Sequence, residues 1–234
     1  MASQVLATIF HFVIFSYYSY VYAYFKMEVD EKLPNHTNYG KDLKFLTIWS
    51  MLFQIFYFFI CCVTDLIMTS GSRSPIGRRL LAFRDWFLCS LAFPIGALVV
   101  VMFWAIFAVD RELIFPKKQE AVYPSWINHA MHTNLLFILL IEMYLVKHNQ
   151  PRRKTGILSS LFVGLVYIIW LMFLGFNKGI WVYPVLEVLN GVQFVLFFVV
   201  AFALFVAAYF VGERCNLALG RNLPDPDLMY AKID

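Results

Sequence analysis

Charge is scarce in this chain. Only 15% of its 234 residues are Asp, Glu, Lys or Arg, where a soluble domain carries about 25%. That shortage excludes an ordinary solvated surface. With 61% of residues hydrophobic and 19% aromatic, the composition points to a bilayer instead. Cysteine is scarce as well: Cys61, Cys62, Cys89 and Cys215 contain no Cys-x-x-Cys pair and give no disulfide framework. Three of them sit inside hydrophobic runs, where packing is their expected role. Histidine is limited to five residues, too few for the multi-histidine iron sites of lipid hydroxylases. The net charge of +4 is modest, and its Lys and Arg collect in short loops, so nucleic acid is not an expected partner. Internal repeats and low-complexity linkers are missing, and there is no room for a second soluble domain.

Long apolar runs are what the chain has in abundance. Six of them, at 4–25, 45–67, 86–109, 126–146, 157–176 and 188–211, approach the ~20 residues needed to cross ~30 Å of hydrocarbon. The first run has neither a basic n-region nor a small-residue cleavage site, so it reads as a retained helix and not a signal peptide. The expected fold is all-α and polytopic, with six transmembrane helices in residues 1–213 and a short cytosolic tail at 214–234. Within that tail, "NLPDPDLMY" reads as extended or disordered. With the N-terminus in the cytosol, 11 Lys and Arg fall in inside segments and 8 outside, which favours both termini in the cytosol. The sequon Asn35-His36-Thr37 then falls in an outside loop, in agreement. The expected location is the cell membrane or the endoplasmic reticulum membrane; the C-terminal "AKID" is no retrieval signal.

Polar residues inside the runs form stripes. In the second run Thr47, Ser50, Gln54, Cys61 and Asp65 recur at spacings of 3, 4, 7 and 4, one face of a helix. Such a face looks into the bundle, because lipid offers it no partner. Interhelical hydrogen bonding accounts for Ser50, Gln54 and Cys61, and a loop Arg for Asp65. In the fourth run Ser125, Asn128, His129 and His132 share a face, which Leu136, Leu139 and Met143 continue. A stripe polar at its outer end and apolar below suits a lipid with its polar group at the interface and its tail between helices. It equally suits a wet helix end. Thr47 and His132 both follow outside loops, so each lies one to two turns into the same leaflet. Glu142, ~15 Å further along, belongs to the cytosolic side.

A Thr hydroxyl is a weak nucleophile until a base takes its proton, and a neutral His is such a base. Asp110 and Glu187, on the same outer side, are allowed as a third member that orients the His. Arg111 or Asn128 is allowed as the group that stabilises an oxyanion, and His129 as a supporting hydrogen bonder. An interface collar of charges and aromatics explains Asp110, Arg111 and Glu187 as well. Ser50, Gln54, Leu136, Leu139 and Met143 are the expected substrate-lining residues. Pro94 in "LAFPIGA" is expected to kink the third helix and free backbone groups. "FRDW", 83–86, reads as a helix-start cap with a salt bridge.

In order along the chain, "KFLT" (44–47), "FRDW" (83–86), "LAFP" (91–94), "DRELIFPK" (110–117), "NHAMHT" (128–133), "WVYP" (181–184) and "GE" (212–213) resemble the androgen-induced gene family. The likeness is collinear over roughly residues 5 to 214. It implies a six-helix membrane hydrolase that cleaves fatty acid esters of hydroxy fatty acids with a Thr nucleophile and a His. The Thr ending the first motif is Thr47 and the second His of "NHAMH" is His132; the resemblance names no third residue. The implied reaction forms and then hydrolyses an acyl-threonine, with no metal or organic cofactor. The expected partner is a lipid ester within the bilayer. Two rivals remain at this point: a metal-dependent enzyme using His129, His132 and an outer carboxylate, and a lipid transporter or receptor without covalent chemistry.

Overall fold

The computed structural model describes residues 2–33, 39–69 and 75–223, and among them the secondary structure is entirely helical. The sequon at 35–37, Arg73 and the tail from Pro224 onward lie outside the described residues. Helix α1 (Ala2–Tyr24) runs on through a π turn (Phe25–Val29) and a 3-10 turn (Asp30–Lys32). A 3-10 turn at Lys41–Lys44 leads into α2 (Leu46–Thr69). Helix α3 (Pro75–Phe87) continues through a π segment (Leu88–Ala92) into α4 (Phe93–Val109). The short α5 (Lys117–Glu120) precedes α6 (Ser125–His132) and α7 (Asn134–Leu145). Helix α8 (Arg153–Met172) ends in a π turn (Phe173–Asn177), and α9 (Val185–Val188) is followed by α10 (Gly191–Leu219).

Five of these stretches are long and apolar enough to cross a membrane: Gln4–Lys32, Leu46–Met68, Pro75–Val109, Arg153–Asn177 and Gly191–Asn222. The run at 126–146, expected as one helix, is two. Thr133 leaves helical geometry, with φ −130° and ψ −59°, and divides α6 from α7. The break has partners on both sides. Trp104 Nε1 donates to the His132 carbonyl at 2.7 Å, replacing the amide an unbroken helix would supply. Asn134 Nδ2 donates to Tyr17 Oη at 3.0 Å, tying the start of α7 to α1. The 12 residues of α7 rise only ~18 Å, short of the hydrocarbon thickness.

Pro94 acts as its chemistry requires. It has no N–H, so the carbonyls one turn back lose a partner. The ladder answers with the π segment before it, and side chains from other helices complete the accounting. Ser160 Oγ on α8 donates to the Ser90 carbonyl, and Gln54 Nε2 on α2 donates to the Ala92 carbonyl at 3.2 Å. "FRDW" is not a helix start: it lies inside α3, with Arg84 and Asp85 both buried and paired at 2.8 Å. The sixth run begins at a capping box, in which Asn190 Oδ1 and Gln193 Oε1 each accept the other residue's backbone N–H at 3.0 Å.

The packing is that of a membrane protein, with apolar side chains on the outside and polar ones within. Val195, Leu196, Val199 and Val200 on α10 and Phe162, Leu165 and Ile169 on α8 are exposed, as a lipid-facing surface is. His11, Asp65, Arg84, Asp85, Glu142 and His148 are buried. Helix α1 lies along α2, and α4 lies against α10 and α7. One close approach sets the centre: a Cβ on Gly96 of α4 would meet Leu135, Leu139 and Gln54 side chains, so α2, α4 and α7 converge closely at this glycine.

Candidate active site

Thr47 is the second residue of α2 and His132 the last of α6. The helix break sets the ring at the end of α6, where it meets the first turn of α2. Thr47 Oγ1 lies 3.2 Å from His132 Nε2. The other ring nitrogen, Nδ1, lies 2.8 Å from Asn128 Oδ1 and 3.1 Å from the Asn128 backbone carbonyl. A backbone carbonyl only accepts, so Nδ1 carries a proton. In the neutral ring Nε2 then holds the lone pair and accepts the Thr47 hydroxyl proton. The Phe103 ring stacks on His132, with centroids 3.7 Å apart and planes 12° apart, and fixes the imidazole's orientation. Asn128 and His132 are buried, whereas Thr47 is half-buried.

Asn128 therefore stands behind the His, where the sequence reading allowed either a carboxylate in that place or Asn128 at an oxyanion. Asp110 is exposed and caps a 3-10 turn by accepting the Glu112 amide at 2.9 Å. Arg111 donates to Glu120 at 2.7 Å and lies over the Phe107 ring. Glu187 is exposed on α9. None of the three is brought to the Thr47–His132 pair. His129 is exposed, stacks on Trp104 and bonds Thr133 Oγ1 at 3.1 Å. It supports the end of α6, and it does not share an open metal position with His132, both of whose nitrogens are engaged.

The pair borders a cavity of about 310 Å³. Its walls come from α2 (Leu46, Thr47, Ile48), α4 (Leu98, Met102, Phe103), α8 (Gly164, Tyr167, Leu171) and α10 (Phe198, Ala201, Phe205), with Tyr183 from the loop before α9. The expected lining residues are elsewhere. Leu139, Met143, Ser50 and Gln54 are buried in the bundle, and Leu136 packs against that same core. For Leu136, Leu139 and Met143 the break at Thr133 is the reason: α7 does not continue the helical face of α6, so the stripe counted across the two is not one face. A shallower cleft shares Ile168, Phe198 and Phe202 with the cavity and includes the exposed Val195 and Val199. The cavity thus abuts an exposed cleft between α8 and α10.

Two tyrosines meet the start of α2. The Leu46 amide points to both Tyr167 Oη and Tyr183 Oη, at 3.1 Å each. Tyr167 Oη donates to the Lys44 carbonyl at 3.0 Å and lies 3.1 Å from Tyr183 Oη. Burial pushes the Tyr183 phenol above its ordinary range, so it keeps its proton at neutral pH. Burial also lowers the Lys44 ammonium, against the pull of Asp30 and Asp42.

The sequence reading missed a second polar cluster. Asp65, His11, Glu142, His148, Asp85 and Arg84 form a buried chain of alternating acids and bases. His11 Nδ1 meets Asp65 at 2.7 Å and its Nε2 meets Glu142 at 3.0 Å. His148 Nε2 lies 3.3 Å from Glu142 and its Nδ1 2.9 Å from Asp85. The signal was a lone His in the first apolar run together with Asp65 and Glu142 in others, since ionisable groups within spans seek one another.

Fold and site together define a multi-pass helical membrane protein in which a Thr–His–Asn hydrogen-bond chain borders an apolar cavity. The profile of FAR-17a/AIG1-like proteins matches residues 6–217, and the chain belongs to that family. It is 38% identical over 210 residues to the human androgen-induced gene 1 protein, covering 87% of each chain. It is 34% identical over 209 residues to the human androgen-dependent TFPI-regulating protein, covering 89% of this chain and 90% of that one. A membrane protein of Schizosaccharomyces pombe is 24% identical over 180 residues, 76% of this chain and 80% of its own. No solved structure matches the chain.

Proposed function

We propose that the protein is an intramembrane carboxylic ester hydrolase with Thr47 as nucleophile and His132 as general base. Its substrate is a fatty acid ester of a hydroxy fatty acid. The observation that carries this reading is the Thr47 Oγ1–His132 Nε2 contact of 3.2 Å beside an apolar cavity, with Nδ1 committed to Asn128. Thr47 attacks the ester carbonyl as His132 takes its proton. The tetrahedral intermediate expels the hydroxy fatty acid alkoxide, which His132 protonates, leaving an acyl-threonine. Water, deprotonated by the same imidazole, then attacks the acyl carbonyl and releases the fatty acid. Positioned base help of this kind is worth roughly 10²–10⁴ in rate.

A lipid ester suits the walls: the cavity is lined almost wholly by Leu, Ile, Val, Met and Phe, with Thr47, His132, Tyr167, Tyr183 and Gln119 its main polar groups. The cleft between α8 and α10 is the route from lipid. In the proposed topology α6 and α7 together make the fourth of six crossings, both termini are cytosolic and the pair faces the non-cytosolic leaflet. The membrane is that of the cell surface or the endoplasmic reticulum.

The test is turnover of a synthetic branched ester by purified wild type, Thr47→Ala and His132→Ala. Both variants are expected to lose at least 10²-fold in kcat/KM. Equal turnover by folded Thr47→Ala protein rejects the reading. Ester binding without turnover in wild type supports the transporter or receptor reading instead.

A further inference from the structure

Thr47 and Cys61 stand on the same helix, ~21 Å apart by its rise. Around Cys61, three elements bring together donors that the ester chemistry does not use. His11 from α1, Cys61 from α2 and Glu142 from α7 are all fully buried. One ligand atom from each, an imidazole nitrogen, a thiol sulfur and a carboxylate oxygen, lies within 4.8 Å of the other two. From this arrangement we infer that His11, Cys61 and Glu142 form a zinc site that ties α1, α2 and α7 together.

The spacing and the donor types agree with that ion. Tetrahedral zinc with bonds of ~2.0 Å to nitrogen and oxygen and ~2.3 Å to sulfur holds its ligands roughly 3.3–3.6 Å apart. His11 Nε2 and Glu142 Oε2 are 3.0 Å apart, and the Cys61 sulfur lies within 4.8 Å of a ligand atom of each. A thiolate beside an imidazole selects zinc over magnesium or calcium, which take oxygen ligands. The surroundings are those of a metal-bound histidine. Its other nitrogen, Nδ1, donates to Asp65 Oδ2 at 2.7 Å, and such a carboxylate fixes the ring and its tautomer. Glu142 is held in turn, its Oε1 accepting the Tyr57 hydroxyl at 2.6 Å.

A second observation points into the same place. His148 Nε2 is fully buried, lies 3.3 Å from Glu142 Oε1 and makes no hydrogen bond with the described residues. The ring is held by Nδ1 against Asp85 at 2.9 Å, so Nε2 faces Glu142 at the edge of the cluster. Charge balances on loading. Zinc displaces one proton from His11 Nε2 and one from the Cys61 thiol, so a divalent cation replaces two protons and the buried charge is unchanged. Binding therefore releases two protons per ion.

Purified full-length protein, loaded with Zn²⁺ and desalted, is assayed by elemental mass spectrometry. Wild type is expected to retain about one zinc per chain. Cys61→Ser and His11→Gln, judged folded by a monodisperse size-exclusion profile, are expected to retain at least about fivefold less. A parallel loading with Co²⁺ reads the ligands directly, through a sulfur-to-cobalt charge-transfer band present in wild type and lost in Cys61→Ser. Wild type that holds no zinc overturns the assignment, and so does cobalt binding without that band. Zinc retained at the wild-type level by both variants overturns it equally.

Discussion

Replacing Asn128 with Ala isolates what the residue behind the proposed general base, His132, contributes. His132 Nδ1 has two acceptors, Asn128 Oδ1 at 2.8 Å and the Asn128 backbone carbonyl at 3.1 Å. The substitution removes only the first. The backbone acceptor still requires a proton on Nδ1, so Nε2 keeps its lone pair and the base survives. The loss is one buried neutral hydrogen bond, about 1 kcal/mol net, plus looser ring orientation partly restrained by the Phe103 stack. A total of roughly 1–2 kcal/mol predicts a 5- to 30-fold fall in kcat/KM. Asn128→Asp retains an acceptor at the same position and is expected to be less impaired than Asn128→Ala. The assay is ester turnover by detergent-purified variants, with His132→Ala as the floor. Asn128→Ala turnover within twofold of wild type refutes an orienting role. Turnover as low as that of His132→Ala refutes the claim that the backbone carbonyl preserves the tautomer.

Trp104→Phe keeps an aromatic ring but removes the N–H donated to the His132 carbonyl, and should cost about 1 kcal/mol of stability together with a several-fold fall in turnover; thermal unfolding in detergent and the ester assay check both. Tyr183→Phe removes the retained phenolic proton beside Leu46 and is expected to lower kcat about tenfold if that hydroxyl supports the developing oxyanion, whereas a kcat equal to wild type assigns it to packing alone. Ala201→Trp fills the cavity wall on α10, so esters with long acyl chains should lose far more kcat/KM than short-chain esters, and equal losses for both would contradict the cavity as the acyl site. Asp85→Asn removes the buried negative charge that Arg84 and His148 share and should destabilise the protein by about 3–5 kcal/mol, read as a lower unfolding temperature with no change in the identity of the acylated residue.

Hydropathy alone indicated where the long helices lie, because a spanning helix must be apolar for most of its length, and five of the runs appear as such helices. It could not show the division at Thr133. A partner of that break, Trp104, stands 28 residues earlier in the chain. The same break explains the uneven reading of the site. Thr47 and His132 meet because each stands near a loop at the same end of the bundle, and that much follows from counting residues. Leu136, Leu139 and Met143 were assigned to the cavity by extending a helical face through a residue that is not helical. Asn128 was singled out but given a different role, since the three-dimensional fold decides which of its neighbours its amide oxygen meets. The acid–base chain from Asp65 to Arg84 was invisible for a related reason. Its members lie on α1, α2, α3, α7 and the segment after α7, and composition records an ionisable residue in an apolar run without recording its partner.

The most direct measurement is the site of acylation. Wild-type protein is quenched during turnover of an isotopically labelled ester, digested and sequenced by mass spectrometry. The acyl mass is expected on Thr47, in a labelled population that decays as free fatty acid appears, with no such adduct in His132→Ala. Acyl label on a different residue, or hydrolysis that proceeds with unmodified Thr47 throughout, would contradict Thr47 as the nucleophile.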